Sequence, residues 1–441
     1  TDDRRCHIDI SSRMRPASAT PAPRLKPNRN DSLTLMTAPA TELRHIGFFS
    51  PSWPPGKLPN GIVTYTDHIT HALQEKGIEL TVFSGDDPEG QRDGVMLGRL
   101  PKRWIDRVCR KIWRDWEHWR RIKLIYKVIK SHRKANGLQL YEMEESFGGS
   151  IRLSKRQELP VVIRLHGPWI LNGVGQGKSR YFNSDRRKEL EGDAIRIATG
   201  ITSPSQFVLD SVRSHYGLAL DNARVIPYPQ PCVPASECWN RDLADPNTIL
   251  FVGRFDSVKG GDLILDAFKM LCEHRPDSRL VIIGPDRGFL DDNGRRWSLA
   301  ERLDSVLGAL AKQVEWKGQL PRGDIDQYRR KASAIVVPSR SEPFGYTAVE
   351  ALSLACPLIV SDAGGLPEIV QNEVNGLVFP SGDATALSQC MHKLLADRKL
   401  GEHLGATGRS DVASRYDPDL IANQIYEYHT QCFNRFQSAT S

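Results

Sequence analysis

Five side chains in this chain have the types and spacing to handle a ligand that is part phosphate and part polyol. Glu342 and Glu350 stand with seven residues between them, and Phe344-Gly345 lies inside that interval. Arg254 and Lys259 flank the glycines of Gly253-Arg-Phe-Asp-Ser-Val-Lys-Gly-Gly261. His166 closes an apolar run and is followed by Gly167. A guanidinium forks two oxygens and an ammonium acts as a point charge, which together suit a diphosphate. The helix pattern that begins near Gly345, Tyr346 and Thr347 offers unpaired backbone N–H groups, a second seat for an anion. Carboxylates on either side of that seat accept hydrogen bonds from hydroxyl groups. Two surface cations or a single histidine usually carry no function. Placed at strand ends, where α/β domains bind ligands, they point to one.

The elements that must position these residues repeat a strand, loop, helix, strand order. His45 to Phe49 reads as a strand and is followed by a loop rich in Pro and Gly. A helix with apolar Ile62, Tyr65, Ile69 and Leu73 comes next, then a strand from Glu79 to Phe83. Gly61 stands in that loop, where its backbone can approach a ligand closely; plain turn chemistry accounts for it equally well. Further strands are expected at 138–141, 161–165, 200–202 and 225–226, and a second series at 249–252, 279–283, 314–316, 334–337 and 358–360. Parallel α/β units of this kind imply two domains, which a chain of 441 residues is long enough to hold. The boundaries are expected at 43–230 for an N-terminal domain, 231–247 for a Pro-rich linker and 248–415 for a C-terminal domain. A final helix, 416–441, is expected to return to the first domain. Residues 1–42 lack periodicity and read as a disordered or misassigned extension, with Met36 as the natural start. Eight scattered cysteines without a Cys-x-x-Cys pair argue against a disulfide framework or a zinc site. The loop glycines do not form a dinucleotide fingerprint, which argues against hydride transfer.

Residues 99–134 stand apart. They carry fourteen Arg or Lys against Asp106, Asp115 and Glu117, an excess larger than the whole chain's net +7. Apolar residues recur every three or four positions, and tryptophans cluster at 113, 116 and 119. A basic face with indole rings is the pattern of an interfacial helix on anionic lipid. It is also the pattern of a helix packed on its own domain with a solvated basic face. Nucleic acid is not expected, because no RNA-binding fingerprint accompanies the charge.

Between about 44 and 436 the chain resembles the retaining glycosyltransferases of family 4. The resemblance rests on the Glu342-x7-Glu350 pair, on Gly364-Gly365-Leu-Pro-Glu368, on Arg254 and Lys259, and on His166 and Gly61. It implies the GT-B fold, α/β with two Rossmann-like domains facing across a cleft. Catalytic roles are implied for His166, Glu342, Arg254 and Lys259. Nucleotide-sugar contacts are implied at Gly61, Gly253, Arg254, Lys259, Phe344, Gly345, Tyr346, Thr347 and Glu350. Glu342 would lie by the donor sugar and Glu350 by the ribose. The implied reaction moves a hexose from a nucleotide-diphosphate sugar to a saccharide or lipid-linked saccharide, with no cofactor and no metal. The expected location is cytoplasmic, peripheral on the inner face of the plasma membrane. Transfer to a soluble small acceptor and a silent nucleotide-sugar-binding scaffold are the alternatives. Two departures stand out: Asn60 occupies a position usually glycine, and Val225-Ile-Pro-Tyr-Pro-Gln230 replaces the usual Ile-Pro-Asn-Gly-Val.

Overall fold

Strands buried on both faces build two sheets; in Ala332–Val337 all six residues are buried, the mark of a central parallel strand covered by helices on each side. The computed structural model describes residues 42–53, 55, 60–84, 90–92, 95–99, 114–173, 184–291 and 293–440, with side chains between 90 and 121 left out. The first sheet comprises β1 (His45–Phe49), β2 (Glu79–Ser84), β3 (Gly90–Arg92), β4 (Val95–Arg99), β5 (Leu140–Glu144), β6 (Val161–Arg164), β7 (Gly200–Ser203) and β8 (Arg224–Val225). Their order is β3-β4-β2-β1-β5-β6-β7-β8, and only the β3–β4 pair is antiparallel. The second sheet comprises β9 (Asp245–Val252), β10 (Arg279–Ile283), β13 (Val314–Trp316), β14 (Ala332–Val337), β15 (Leu358–Ser361) and β16 (Leu377–Phe379). It runs β13-β10-β9-β14-β15-β16 and is parallel throughout. A small antiparallel hairpin, β11 (Phe289–Leu290) with β12 (Arg296–Trp297), follows β10. Two Rossmann-like domains thus face each other across a cleft.

Each sheet reverses its direction of growth once, and that reversal opens a crevice outside the strand ends. In the first sheet the reversal falls between β1 and β5, where Gly61 follows β1 and Glu144 ends β5. In the second it falls between β9 and β14, where the loops carrying Arg254, Lys259 and Glu342 diverge. Topology alone therefore brings the residues of the two series to one place.

The chain's last helix, Pro418–Thr440, lies on the first domain. Tyr426 donates to the Leu43 carbonyl (2.9 Å), Tyr428 to that of Asn222 (2.7 Å), and His429 Nε2 meets Glu142 Oε2 at 2.9 Å. The expected linker 231–247 needs correction. Its Trp239 is buried, with its indole N–H donating to the Ala332 carbonyl (2.7 Å), and β9 already begins at Asp245. A large apolar ring inside a polar run anchored it to the second domain.

Of the expected helix over 99–134, residues 100–113 lie outside the described residues. Arg99 ends β4, and the helix described is Arg114–Asn136. Ile122, Ile125, Tyr126 and Ile129 are buried, the last three in one core with Phe83, Tyr141 and Met143, so this half of the apolar face is spent on its own domain. Trp104 and Trp113, the side chains of Trp116 and Trp119, and the expected extension 1–42 apart from Glu42 lie outside the described residues. Among the described residues no helix is long and apolar enough to cross a membrane.

Candidate active site

The two crevices meet in a cleft of about 550 Å³. Its C-terminal wall carries Arg254, Lys259, Glu342, Phe344, Gly345, Tyr346 and Thr347; its N-terminal wall carries Gly61, Glu144, Glu145, His166, Trp169 and Tyr228. Gly253 and Glu350 are not among the lining residues. A Cβ on Gly253 would come 3.2 Å from the Phe251 ring, and its carbonyl leaves no room for a side chain on Gly284.

Asp256, which the sequence reading passed over, organises the phosphate-type cations. One oxygen accepts from Arg254 Nε and the other from the Lys259 backbone N–H, both at 2.8 Å. The Lys259 ammonium in turn donates to Glu342 at 2.5 Å, and Ser339 donates to the same oxygen at 3.2 Å. Gly364, at φ +64°, presses so close that a Cβ would fall 2.2 Å from the Glu342 carbonyl oxygen. The Gly364 N-terminal neighbourhood therefore seats the backbone of Glu342, and Gly365 N–H donates to that same carbonyl (2.8 Å). Gly345, at φ +115°, opens the helix Tyr346–Ser353, a conformation that only glycine adopts cheaply. Glu350 lies in that helix, paired with buried Arg329 and, at 3.5 Å, with Arg322. Burial pushes its carboxyl up, but the two guanidinium groups outweigh burial and hold it below the ordinary range.

The opposite wall is rich in aromatic rings. Tyr228, from the Pro-rich departure after β8, stacks on His166 (5.4 Å, 24°) and on Tyr346 of the other domain (4.9 Å, 11°). Its hydroxyl meets His166 Nδ1 at 2.6 Å. With the hydroxyl as donor to Nδ1, the imidazole keeps its proton on Nε2. Burial, followed by the nearby Arg164 charge, lowers the His166 pKa well below its usual value, which leaves the ring neutral. Glu145 accepts the backbone N–H of His166 and of Gly167, each at 3.0 Å. Burial, then Glu191 and Glu144, push its carboxyl up to about 8. Asn60, the first departure, caps the helix Gly61–Glu75: its Oδ1 accepts from Ile62 N (3.0 Å) and Val63 N (3.4 Å). Those donors are thereby withdrawn from any ligand.

The walls are tied together as well as apposed. Glu368 accepts from Gln206 N and Phe207 N, both at 2.8 Å, at the start of the helix Gln206–Tyr216. Ser205 Oγ donates to the Pro343 carbonyl at 2.6 Å. A Cβ on Gly61 would sit 3.4 Å from the Tyr346 ring, an ordinary contact. Among the described residues no group of three His, Cys, Asp or Glu is placed to hold a metal ion.

Comparison with known proteins agrees with this fold. Residues 59–229 match glycosyltransferase family 4, and residues 240–411 match the family described as glycosyl transferases group 1. This chain belongs to family 4 of the GT-B glycosyltransferases. A D-inositol 3-phosphate glycosyltransferase of Thermobifida fusca is 32% identical over 37% of this glycosyltransferase and 38% of its own length. The chain thus spans well under half of that relative. A protein of the same name from Paenarthrobacter aurescens is 25% identical over 80% of the chain and 89% of its own. Among solved structures, sucrose-phosphate synthase of Thermosynechococcus elongatus superposes with a TM-score of 0.68 at 22% identity, covering 89% of this chain and 100% of that one. HepE of Anabaena, in complex with UDP-glucose, gives 0.63 at 17%, covering 87% and 98%. These two likenesses bear on the fold.

Proposed function

We propose that this glycosyltransferase moves a hexose from a nucleotide-diphosphate sugar to a hydroxyl of a saccharide or polyol, with retention at the anomeric carbon and without a metal ion. The observation that carries this reading is the Lys259–Glu342 pair at 2.5 Å, set beside Arg254 at the start of the helix Tyr346–Ser353. A donor diphosphate entering there meets two cations and a helix N-terminus. As the glycosyl–oxygen bond breaks, negative charge grows on the leaving phosphate, and those groups stabilise it from fixed positions. The acceptor hydroxyl attacks from the face the phosphate leaves; its oxygen bonds to the anomeric carbon and its proton passes to the departing phosphate oxygen. Glu342, released from Lys259 in part by the incoming phosphate, accepts from donor-sugar hydroxyls. His166 donates its Nε2 proton to a sugar oxygen. Glu350 lies outside the lining of the cleft, and contact with the ribose requires it to share its arginine partners.

The acceptor class is supported by the relatives named for inositol phosphate, and a uridine donor by the HepE complex. A soluble acceptor gains over a membrane-held one from the buried face at 122–129, which is spent on the protein's own core. The test is a screen of UDP-, GDP- and ADP-sugars for thermal stabilisation, followed by NMR of the product's anomeric proton. A ligand at about 100 times its dissociation constant adds about 2.7 kcal/mol. An inverted product, or stabilisation by none of the donors, overturns the reading.

A further inference from the structure

Beyond the cleft, the far side of the Arg254 loop borders a second cavity of about 480 Å³. Its walls are Arg254, Asp256, Ser257, Val258, Arg287 and Arg296, with Gly288 and Leu290. Three guanidinium groups therefore face one space with one carboxylate, and Asp256 is already committed to Arg254 and the Lys259 N–H. The Arg287 guanidinium has no hydrogen-bond or ion-pair partner among the described residues. Arg296 donates to the Arg287 carbonyl, and its methylenes lie against Gly288, where a Cβ would come within 2.8 Å of Cγ. Like charges gathered around a cavity repel one another until an anion enters.

The rim that holds these arginines is a built feature. Asp286 accepts from Gly288 N (2.9 Å) and Leu299 N (2.8 Å), which pins both ends of the insertion carrying β11 and β12. Inside the insertion the Trp297 indole donates to Asp291 (2.9 Å) and Arg295 stacks on the same ring at 3.6 Å. The cavity shares only Arg254 and Val258 with the donor cleft and draws every wall from the C-terminal domain. Its size suits a small polar molecule, and its lining suits a phosphate monoester, whose three terminal oxygens can each meet a guanidinium fork.

We propose that this cavity is a second anion site, which takes a phosphate group, free or carried on a small sugar, while the donor cleft is occupied. The test is calorimetric titration of the full chain with inorganic phosphate and with glucose 6-phosphate at low salt, under saturating UDP and again without it. Both probes are expected to bind under UDP. The Arg287→Ala/Arg296→Ala variant is expected to weaken each by about tenfold or more, the worth of a charged hydrogen bond, with UDP affinity unchanged. Arg287→Glu alone, on an exposed side chain, should do the same and guards against a folding defect in the double variant. Tighter binding of glucose 6-phosphate assigns the site to sugar phosphates, and equal binding assigns it to phosphate alone; both support it. Loss of phosphate binding under UDP would mean that the anion sits in the donor clamp, and undiminished binding in the variants would also overturn the proposal. The titrations without UDP read the variants' effect even where the uridine assignment fails.

Discussion

The two walls of the cleft handle charge in opposite ways. On the C-terminal wall Arg254, Lys259 and Glu342 are paired with one another or with Asp256, at a surface that solvent still reaches. Behind the N-terminal wall, buried Arg164 lies over the Tyr65 and Tyr228 rings with no hydrogen bond at Nε or Nη1, and Glu145 is buried beside two other carboxylates. Paired charges exchange partners at little cost, so the first wall is suited to receive a phosphate. Groups already stripped of water cannot relax, so the second wall is suited to hold one orientation of a ring and a loop. Exchange on one side and fixed geometry on the other is a sound division for a reaction in which one substrate leaves as an anion.

Removing the exchangeable cation should break this division most severely. Lys259→Ala is expected to lower kcat by roughly a hundred- to a thousand-fold, measured as UDP release from a donor the screen has identified. A loss confined to KM would mean that the cation only holds the ground state. Tyr228→Phe probes the fixed wall: without the hydroxyl the imidazole is free to change tautomer, and kcat should fall by about tenfold with the fold intact. Nitrogen NMR of the histidines reads that tautomer directly, and an unchanged His166 signal would sink the assignment.

Glu145 offers a finer measurement. The folded state keeps this carboxyl's proton up to about pH 8, whereas an unfolded glutamate releases it near its ordinary value of 4.5. Between those values the folded state binds more protons, so its contribution to stability falls as pH rises and levels off above about 8. From pH 6.5 to 8 the denaturation midpoint should drop, at no more than about 1.4 kcal/mol per pH unit from this group. Glu145→Gln should flatten that slope, and an unaltered slope would refute the burial argument. The smallest effect belongs to Asn60→Gly, which restores the family's usual residue. It should cost only a few tenths of a kcal/mol as a cap, while returning two N–H groups to the loop facing the donor. Tighter donor binding in that variant would sharpen the contrast between the walls.

How much of this was legible in the sequence depended on distance along the chain. The parallel strands, the Gly345 helix start and the grouping of Arg254 with Lys259 come from short patterns, and they read clearly. Tyr228 did not, because its four ring neighbours come from three segments, at 65, 166 and 344–346, and nothing local marks a tyrosine between prolines as a stacking centre. Asp256 was visible between the two cations, but its side chain's choice of partners was not. Arg99, at the head of the basic run, belongs to β4 and not to the helix, because pairing with Ser84 of β2 decides its backbone. Glu368, which reads in the sequence only as part of the Gly364–Glu368 loop, grips the start of a helix of the other domain.

The helix Pro418–Thr440 bears on how the protein is made. Glu142 in β5 finds its His429 partner 287 residues later. At roughly 5–20 residues per second, that helix emerges about a quarter of a minute to a minute after β5. Until then the nascent first domain exposes the apolar groove that Ile421, Ile425, Tyr428 and Phe433 will cover. The domain synthesised first is thus the one completed last, and during translation its open flank is the surface on which a holding chaperone would act.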